Sequence, residues 1–302
     1  MGWIAYGRVG SGRVLWRYGT VTDDDMRQAV PAMGPMVEQT YGPVDLSREP
    51  IFAGGFINFG YWRDIDLDRP VGEPERVRSQ EDLYRHVLDS LAAAELPEHS
   101  RILDVGCGLG MGCAVALREY GPAAVTGMDI HPDQLERARD AQAGLLATDG
   151  ERLRFVRGAA ERMPMADGEF DALISVEAAQ HFPDLEAFAA EAARVLRPGG
   201  RLAVTSFFTV DDAPGRTEEP ARLLETYANG LDIARPVQAL ADAFTAAGLK
   251  RVHVESIGSD VWPGWDLWLA QWWAPGTWPR NFLRAYEDHV LDYYVVTATR
   301  SA

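Results

Sequence analysis

From Arg101 onward, apolar runs and helix-like stretches alternate along the chain. Strands are predicted at 101–106, 124–130, 153–158, 170–176, 201–208, 250–257 and 292–299, with helices at Gly110–Tyr120, Asp133–Leu146, Leu185–Leu196 and Pro236–Ala247. Strand and helix in alternation predict a parallel sheet with helices on both faces. Right-handed crossovers then leave the ligand loops at the carboxyl ends of the strands.

The chain before Arg101 follows a different rhythm. Gly7, Gly10, Gly12 and Gly19 punctuate a β-type arm that carries Tyr6, Val9, Val14, Trp16 and Tyr18. Residues 23–40 predict a short helix opened by Thr22-Asp23-Asp24-Asp25. Phe52 to Trp62 is an apolar aromatic loop, and Glu75 to Leu96 reads as a long amphipathic helix ended by Pro97. Two later segments interrupt the alternation. Residues 209–235, with Asp211, Asp212, Pro214, Gly215 and Pro220, read as an insertion after the fifth strand; residues 259–290 hold six of the nine tryptophans. Trp262, Trp265, Trp268 and Trp272 recur at three- to four-residue steps, which predicts an aromatic stripe on one helix face, with Pro263 in its first turn and Pro275 ending it. That stripe either packs on the sheet or walls an apolar pocket. The expected division is an arm with cap helices over 1–97 and a core over 98–302, the core carrying cap insertions at 209–235 and 259–290.

Composition narrows the function classes. With 302 residues, 47% hydrophobic and 25% charged, the chain can bury one large core plus a cap. Its net charge of −16 argues against nucleic acid and anionic membrane surfaces as partners. No apolar run is long enough for a membrane span, and Met1 to Tyr6 lack a basic-then-apolar signal pattern. Cys107 and Cys113 are the two cysteines, so a disulfide framework is not expected, and six scattered histidines lack metal-ligand spacing. The expectation is a cytoplasmic enzyme without a metal; a homo-oligomer is compatible with all of this.

The chemistry concentrates around Asp104-Val105-Gly106-Cys107-Gly108-Leu109-Gly110. A strand, a glycine turn and a helix in succession form a nucleotide-type pocket. The dinucleotide fingerprint needs glycine at i, i+2 and i+5, and no register here supplies it: the third position falls on Met111, Cys113 or Val115. Asp129 closes the second strand, 25 positions after Asp104. An acid at that place can accept both hydroxyls of a ribose, or simply cap the next helix, as Asp133 could equally.

The D-x-G-x-G-x-G loop resembles the cofactor loop of class I methyltransferases that use S-adenosylmethionine. Three further stretches carry the resemblance: Phe155 to Pro164, Phe170 to Asp184, and Arg194-Val195-Leu196-Arg197-Pro198-Gly199-Gly200. Asn58-Phe59-Gly60-Tyr61-Trp62 is similar to the segment that closes over the methionine end of the cofactor in small-molecule and lipid members. The resemblance implies an α/β, Rossmann-like doubly wound fold: a mostly parallel seven-stranded sheet whose last strand inserts antiparallel, under a helical and aromatic cap. It implies S-adenosylmethionine as cofactor and S-adenosylhomocysteine as product. The residues it points to for the cofactor are Asn58, Asp104, Gly106, Cys107, Gly108, Gly110, Asp129, Ile130, Gln134, Ala160, Glu161 and Val176. Asp104 and the glycine-loop N–H groups would hold the amino-acid end, and Ile130 would lie against the adenine. Ala159 stands where the family usually has an Asp that bonds the adenine amino group, so Glu161 or a backbone carbonyl would replace it.

For the acceptor, the resemblance points to Glu177, Gln180 and His181, just past the fourth strand. His181 could take a proton from a hydroxyl; alternatively Gln180 and His181 could grip a carboxylate, which needs no base. The Gln-His pair resembles fatty-acid and related O-methyltransferases in the natural-product branch of the family. Phe56, Tyr61, Phe207, Phe208, Trp262 and Trp265 are the expected lining of a pocket for a small hydrophobic substrate. Oxygen is the favoured acceptor atom. Carbon methylation of an isoprenoid, lipid or polyketide, with Glu177 stabilising a cation, is the alternative. A cofactor-binding protein without transfer activity is the alternative of another class.

Overall fold

The computed structural model describes residues 33–43, 45–92 and 95–301. The arm expected through Gly19, and the part of the 23–40 helix before residue 33, lie outside the described residues; the described part of that helix is Pro35–Tyr41.

Seven strands form one sheet: β1 (Arg101–Val105), β2 (Ala124–Asp129), β3 (Leu153–Arg157), β4 (Phe170–Val176), β5 (Leu196–Thr209), β6 (Lys250–Ser256) and β7 (Leu291–Thr299). Their order is β3-β2-β1-β4-β5-β7-β6. β7 runs antiparallel to both neighbours and the other pairings are parallel, as expected. The chain steps from β1 outward to β3, then returns to β4 on the other side of β1. The carboxyl ends of β1 and β4 therefore flank a switch point, where open α/β sheets bind their ligands. β5 starts at Leu196 rather than 201, because Gly199 N–H donates to the Arg300 carbonyl and Arg300 N–H to that of Gly200.

Each face of the sheet is covered. Leu103, Val105, Leu173, Val204 and Phe208 pack against helices Leu185–Val195 and Val237–Ala246. Ile102, Ile174, Phe207 and Tyr293 pack on the other face with helices Glu73–Ser90 and Gly258–Leu269. Asp184 starts the Leu185–Val195 helix by accepting the Ala187 N–H at 2.9 Å. At the helix after β2 the cap is His131, whose Nδ1 accepts the Asp133 N–H at 3.1 Å; Asp133 itself is the capped residue.

Two helices differ from expectation. The long amphipathic helix spans Glu73–Ser90 and stops short of Pro97, since Ala92 takes a left-handed φ of 49° that ends helical winding. The tryptophan helix begins at Gly258, which puts Pro263 inside it, and ends at Leu269. Trp262, Trp265 and Trp268 are buried, but Trp272 lies past the end and is 44% exposed. The stripe is therefore three tryptophans long.

Gly112 sits in the helix Met111–Val115, where a Cβ would overlap the buried Tyr84 ring. Alanine is the better helix former, yet Gly112→Ala is expected to destabilise the fold by about 1–3 kcal/mol through overpacking. Thermal denaturation of the variant checks this as a lowered Tm.

Candidate functional site

The glycine loop leaves the end of β1 between β2 and β4. Gly106, Gly108 and Gly110 all have positive φ, 79°, 51° and 69°, a region that glycine adopts freely. Gly106 and Cys107 N–H both donate to the Met128 carbonyl, Gly110 N–H to that of Cys107, and Gly108 N–H to Asp129 Oδ2 at 3.0 Å. These N–H groups are thus used within the protein. Of the loop's N–H groups, these four close its own turn.

Buried acceptors with no partner among the described residues occur in several elements. Asp104 Oδ1, Asn58 Oδ1, Gln134 Oε1 and Glu161 Oε1 are buried oxygens without a protein partner. A Cβ on Gly108 would project into open space. Asp129 uses one oxygen for Gly108 N–H and the other for His131 N–H at 2.9 Å, which leaves lone pairs on both for further donors. Burial pushes the Asp104 carboxyl up to about 7 although the Cys113 thiol bonds it, and burial also raises Asp129 above the usual carboxylate range. S-adenosylmethionine carries an ammonium, two ribose hydroxyls and an adenine amino group. The Asp104 and Asp129 carboxyl oxygens at the glycine turn are acceptors that fit such a donor-rich group. Ile130 is half-buried beside Asp129, and Ala160 and Val176 are buried. Burial raises the Glu161 pKa, against the pull of backbone N–H groups of Glu161 and Asp184.

The loop after β4 carries a second cluster. Glu177 adopts φ 49°, rare for a side chain other than glycine. Its Oε1 accepts the Phe59 N–H at 2.5 Å and the Tyr293 O–H at 2.7 Å. Burial pushes its carboxyl up to about 7, against the pull of those two bonds and of Arg76. Gln180 is buried and fully engaged. Its Oε1 accepts the Ser206 hydroxyl at 2.5 Å; its amide donates to the Glu177 carbonyl at 2.9 Å and lies 3.2 Å from His181 Nε2.

His181 is gripped from the 209–235 insertion. Its Nδ1 lies 3.0 Å from the Leu231 carbonyl and 3.2 Å from Asp232 Oδ1. Both partners only accept, so Nδ1 carries the proton and Nε2 presents a lone pair. Tyr41 O–H meets that lone pair at 2.8 Å. Burial alone would lower the His181 pKa; Asp232, with help from the Leu231 carbonyl and Glu177, outweighs it and raises the pKa.

The aromatic residues assemble around Phe59. Its ring centroid lies 4.7 Å from Trp265, 5.5 Å from Trp262 and from Phe207, and 5.0 Å from Phe282. Three expected lining residues stand apart from this group. Phe208 faces the opposite side of the sheet from Phe207, because successive strand residues alternate. Tyr61 stacks on His86 at 4.4 Å, and Phe56 packs on Tyr84.

Asp232, Tyr41, Tyr293, Phe59 and Arg76 complete the site without having been singled out individually from the sequence. Arg76 is fully buried, 4.8 Å from the Trp265 ring centre, and donates to the carbonyls of Ile51 and Asn58. It pins the aromatic loop, and burial lowers its pKa to about 9.

A family of methyltransferase domains matches residues 103–204. Methyltransferase GfsG of Streptomyces halstedii is 33% identical over 70% of this chain and 75% of its own length. The fatty-acid O-methyltransferase of Mycolicibacterium smegmatis is 32% identical over 62% of this chain and 67% of its own. The erythromycin 3''-O-methyltransferase of Saccharopolyspora erythraea is 29% identical over 74% and 71%. Among solved structures, geranyl diphosphate C-methyltransferase from Streptomyces coelicolor superposes with a TM-score of 0.74 at 18% identity, covering 89% of this chain and all of that one. The [4+2]-cyclase SpnF superposes with 0.67 at 24% identity, covering 91% and 99%. The fold is the Rossmann-like one expected.

Proposed function

We propose, from the premise that this chain belongs to the class I S-adenosylmethionine-dependent methyltransferases, that it methylates a hydroxyl oxygen of a small hydrophobic metabolite. S-adenosylmethionine is its cofactor. When bound, that group supplies an electrophilic methyl on a sulfonium. Asp129 would hold the ribose hydroxyls, and Asp104, Asn58 and Gln134 would accept from the remaining donors, Asp104 from the ammonium. The arm and cap division at 97/98 belongs to the same reading, with residues 51–62 covering the methionine end.

The observation that carries the choice of a hydroxyl is the state of Gln180 and His181. A carboxylate clamp needs both side chains free, and the Gln180 amide is already bonded to Ser206 and the Glu177 carbonyl. His181, with Nδ1 bonded to Leu231 and Asp232, is instead arranged as a general base. A hydroxyl proton passes to Nε2 as the oxygen attacks, and Asp232 stabilises the resulting imidazolium. Among the relatives, the erythromycin 3''-O-methyltransferase and the 27-O-demethylrifamycin SV methyltransferase carry names consistent with this chemistry, whereas the fatty-acid O-methyltransferase favours a carboxylate.

The base must be unprotonated, so kcat/KM rises with pH through the His181 pKa and is lost below it. Asp232 raises that pKa. Asp232→Asn is therefore expected to move the acid limb of the profile to lower pH while reducing the plateau, because the imidazolium formed on proton transfer loses its carboxylate partner. A pH-rate profile of both proteins with one acceptor tests the assignment; an unmoved limb contradicts it.

Glu177 supports a second reading. Its buried carboxyl, bonded to Phe59 N–H and Tyr293 O–H, would in its ionised form stabilise cationic charge during methylation of a carbon. Isotope transfer from methyl-labelled cofactor to phenols, alcohols, acids and prenyl compounds separates the readings by where the label lands.

A further inference from the structure

We propose that Tyr41 gates the acceptor site: its phenol fills the position on His181 Nε2 that an acceptor hydroxyl must take, so the acceptor enters by displacing residues 33–43. This rests on the reading of His181 as the base. With Nδ1 facing the Leu231 carbonyl and Asp232, Nε2 has one in-plane lone pair to offer. Tyr41 O–H is its nearest donor at 2.8 Å, with the Gln180 amide more distant at 3.2 Å, and the phenol ring sits edge-on to the imidazole with centroids 5.5 Å apart. While Tyr41 stays there, a second hydroxyl can neither bond Nε2 nor lose its proton to it.

The segment that carries Tyr41 is built to lift. Every residue of the helix Pro35–Tyr41 keeps some exposed surface among the described residues, and the Tyr41 phenol end is what enters the site. Among the described residues its polar anchors are Arg137 and His181. Arg137 donates to the Tyr41 carbonyl at 2.8 Å and to the Gly42 carbonyl at 2.5 Å, and the Tyr41 phenol supplies the link to His181. Arg137 stands on helix Pro132–Ala141, directly after Asp129, so the strap is tied to the cofactor side of the site. Burial of the phenol, and after it the negative charges of Asp232, Glu177 and Asp129, raise its pKa and keep it protonated as a donor. An acceptor hydroxyl replaces that bond with an equivalent one, and the exchange selects acceptors whose bulk fits where the Tyr41 ring had been.

Access to Nε2 can be read without turnover. Diethyl pyrocarbonate acylates unprotonated imidazole nitrogen, and mass spectrometry of the His181 peptide gives the rate. The full chain, Tyr41→Phe and Tyr41→Ala are compared, with calorimetric binding of S-adenosylhomocysteine confirming that each is folded. Tyr41→Phe is expected to label about two- to tenfold faster than the parent, the factor one net hydrogen bond is worth. Tyr41→Ala, which also removes the ring, should label faster still. Both variants labelling at the parent's rate would overturn the gate and leave the base assignment intact. Loss of the base assignment would show separately, as full activity in a His181 variant.

Discussion

His181→Ala is expected to lower kcat for hydroxyl methylation by about 10²–10⁴, the usual worth of a positioned general base. Alcohols and phenols are almost wholly protonated near neutral pH, the phenols with a pKa of about 10, so an acceptor without a base attacks as its weaker neutral form. Asp232 and the Leu231 carbonyl make no substitute, since neither lies beyond the imidazole on its Nε2 side. Asp104 and Asp129, the residues proposed for the cofactor, are untouched, so the affinity for S-adenosylhomocysteine should stay at the parent's value. Steady-state kinetics at saturating cofactor, with calorimetry for the product, separate the two effects. A carboxylic acid acceptor would behave differently: already ionised, it would lose little rate in the same variant.

Asp129→Ala is expected to weaken S-adenosylhomocysteine by about two orders of magnitude. Hydrogen bonds to a charged group are worth about 1.5–3 kcal/mol each, and in the proposed reading this carboxylate would accept both ribose hydroxyls. It also holds the glycine loop, through Gly108 N–H, and the start of the next helix, through His131 N–H. Its loss removes ligand contacts and loosens the turn that shapes the site. Calorimetric titration measures this directly, and an affinity within threefold of the parent would remove Asp129 from the cofactor site.

The strands and the glycine loop were legible because their signals are local. Apolar runs, turn glycines and strand-end acids lie within a few residues of one another, and the antiparallel β7 followed from the family resemblance. The partners of His181 were not legible. Asp232 lies in an irregular insertion with no spacing that ties it to the loop after β4, and Tyr41 comes from the far end of the chain. Arg76 reads as one more charge in Glu73-Pro74-Glu75-Arg76, a helix start that looks solvated, yet it is fully buried beneath the aromatic loop. Phe207 and Phe208 read as a pair because adjacency in sequence is easy to see; strand alternation places them on opposite faces. Gln180 was visible as a residue, but not its bonds to Ser206 and Glu177, which decide what it can do for a substrate.

The most direct measurement is transfer of label from methyl-labelled S-adenosylmethionine to a panel of hydrophobic alcohols, phenols, carboxylic acids and prenyl compounds, followed by base treatment of the product. Hydroxyl methylation yields an ether whose label survives base, and position analysis finds it on oxygen. Label released as methanol would identify a methyl ester and contradict the hydroxyl assignment, as would stable label on carbon.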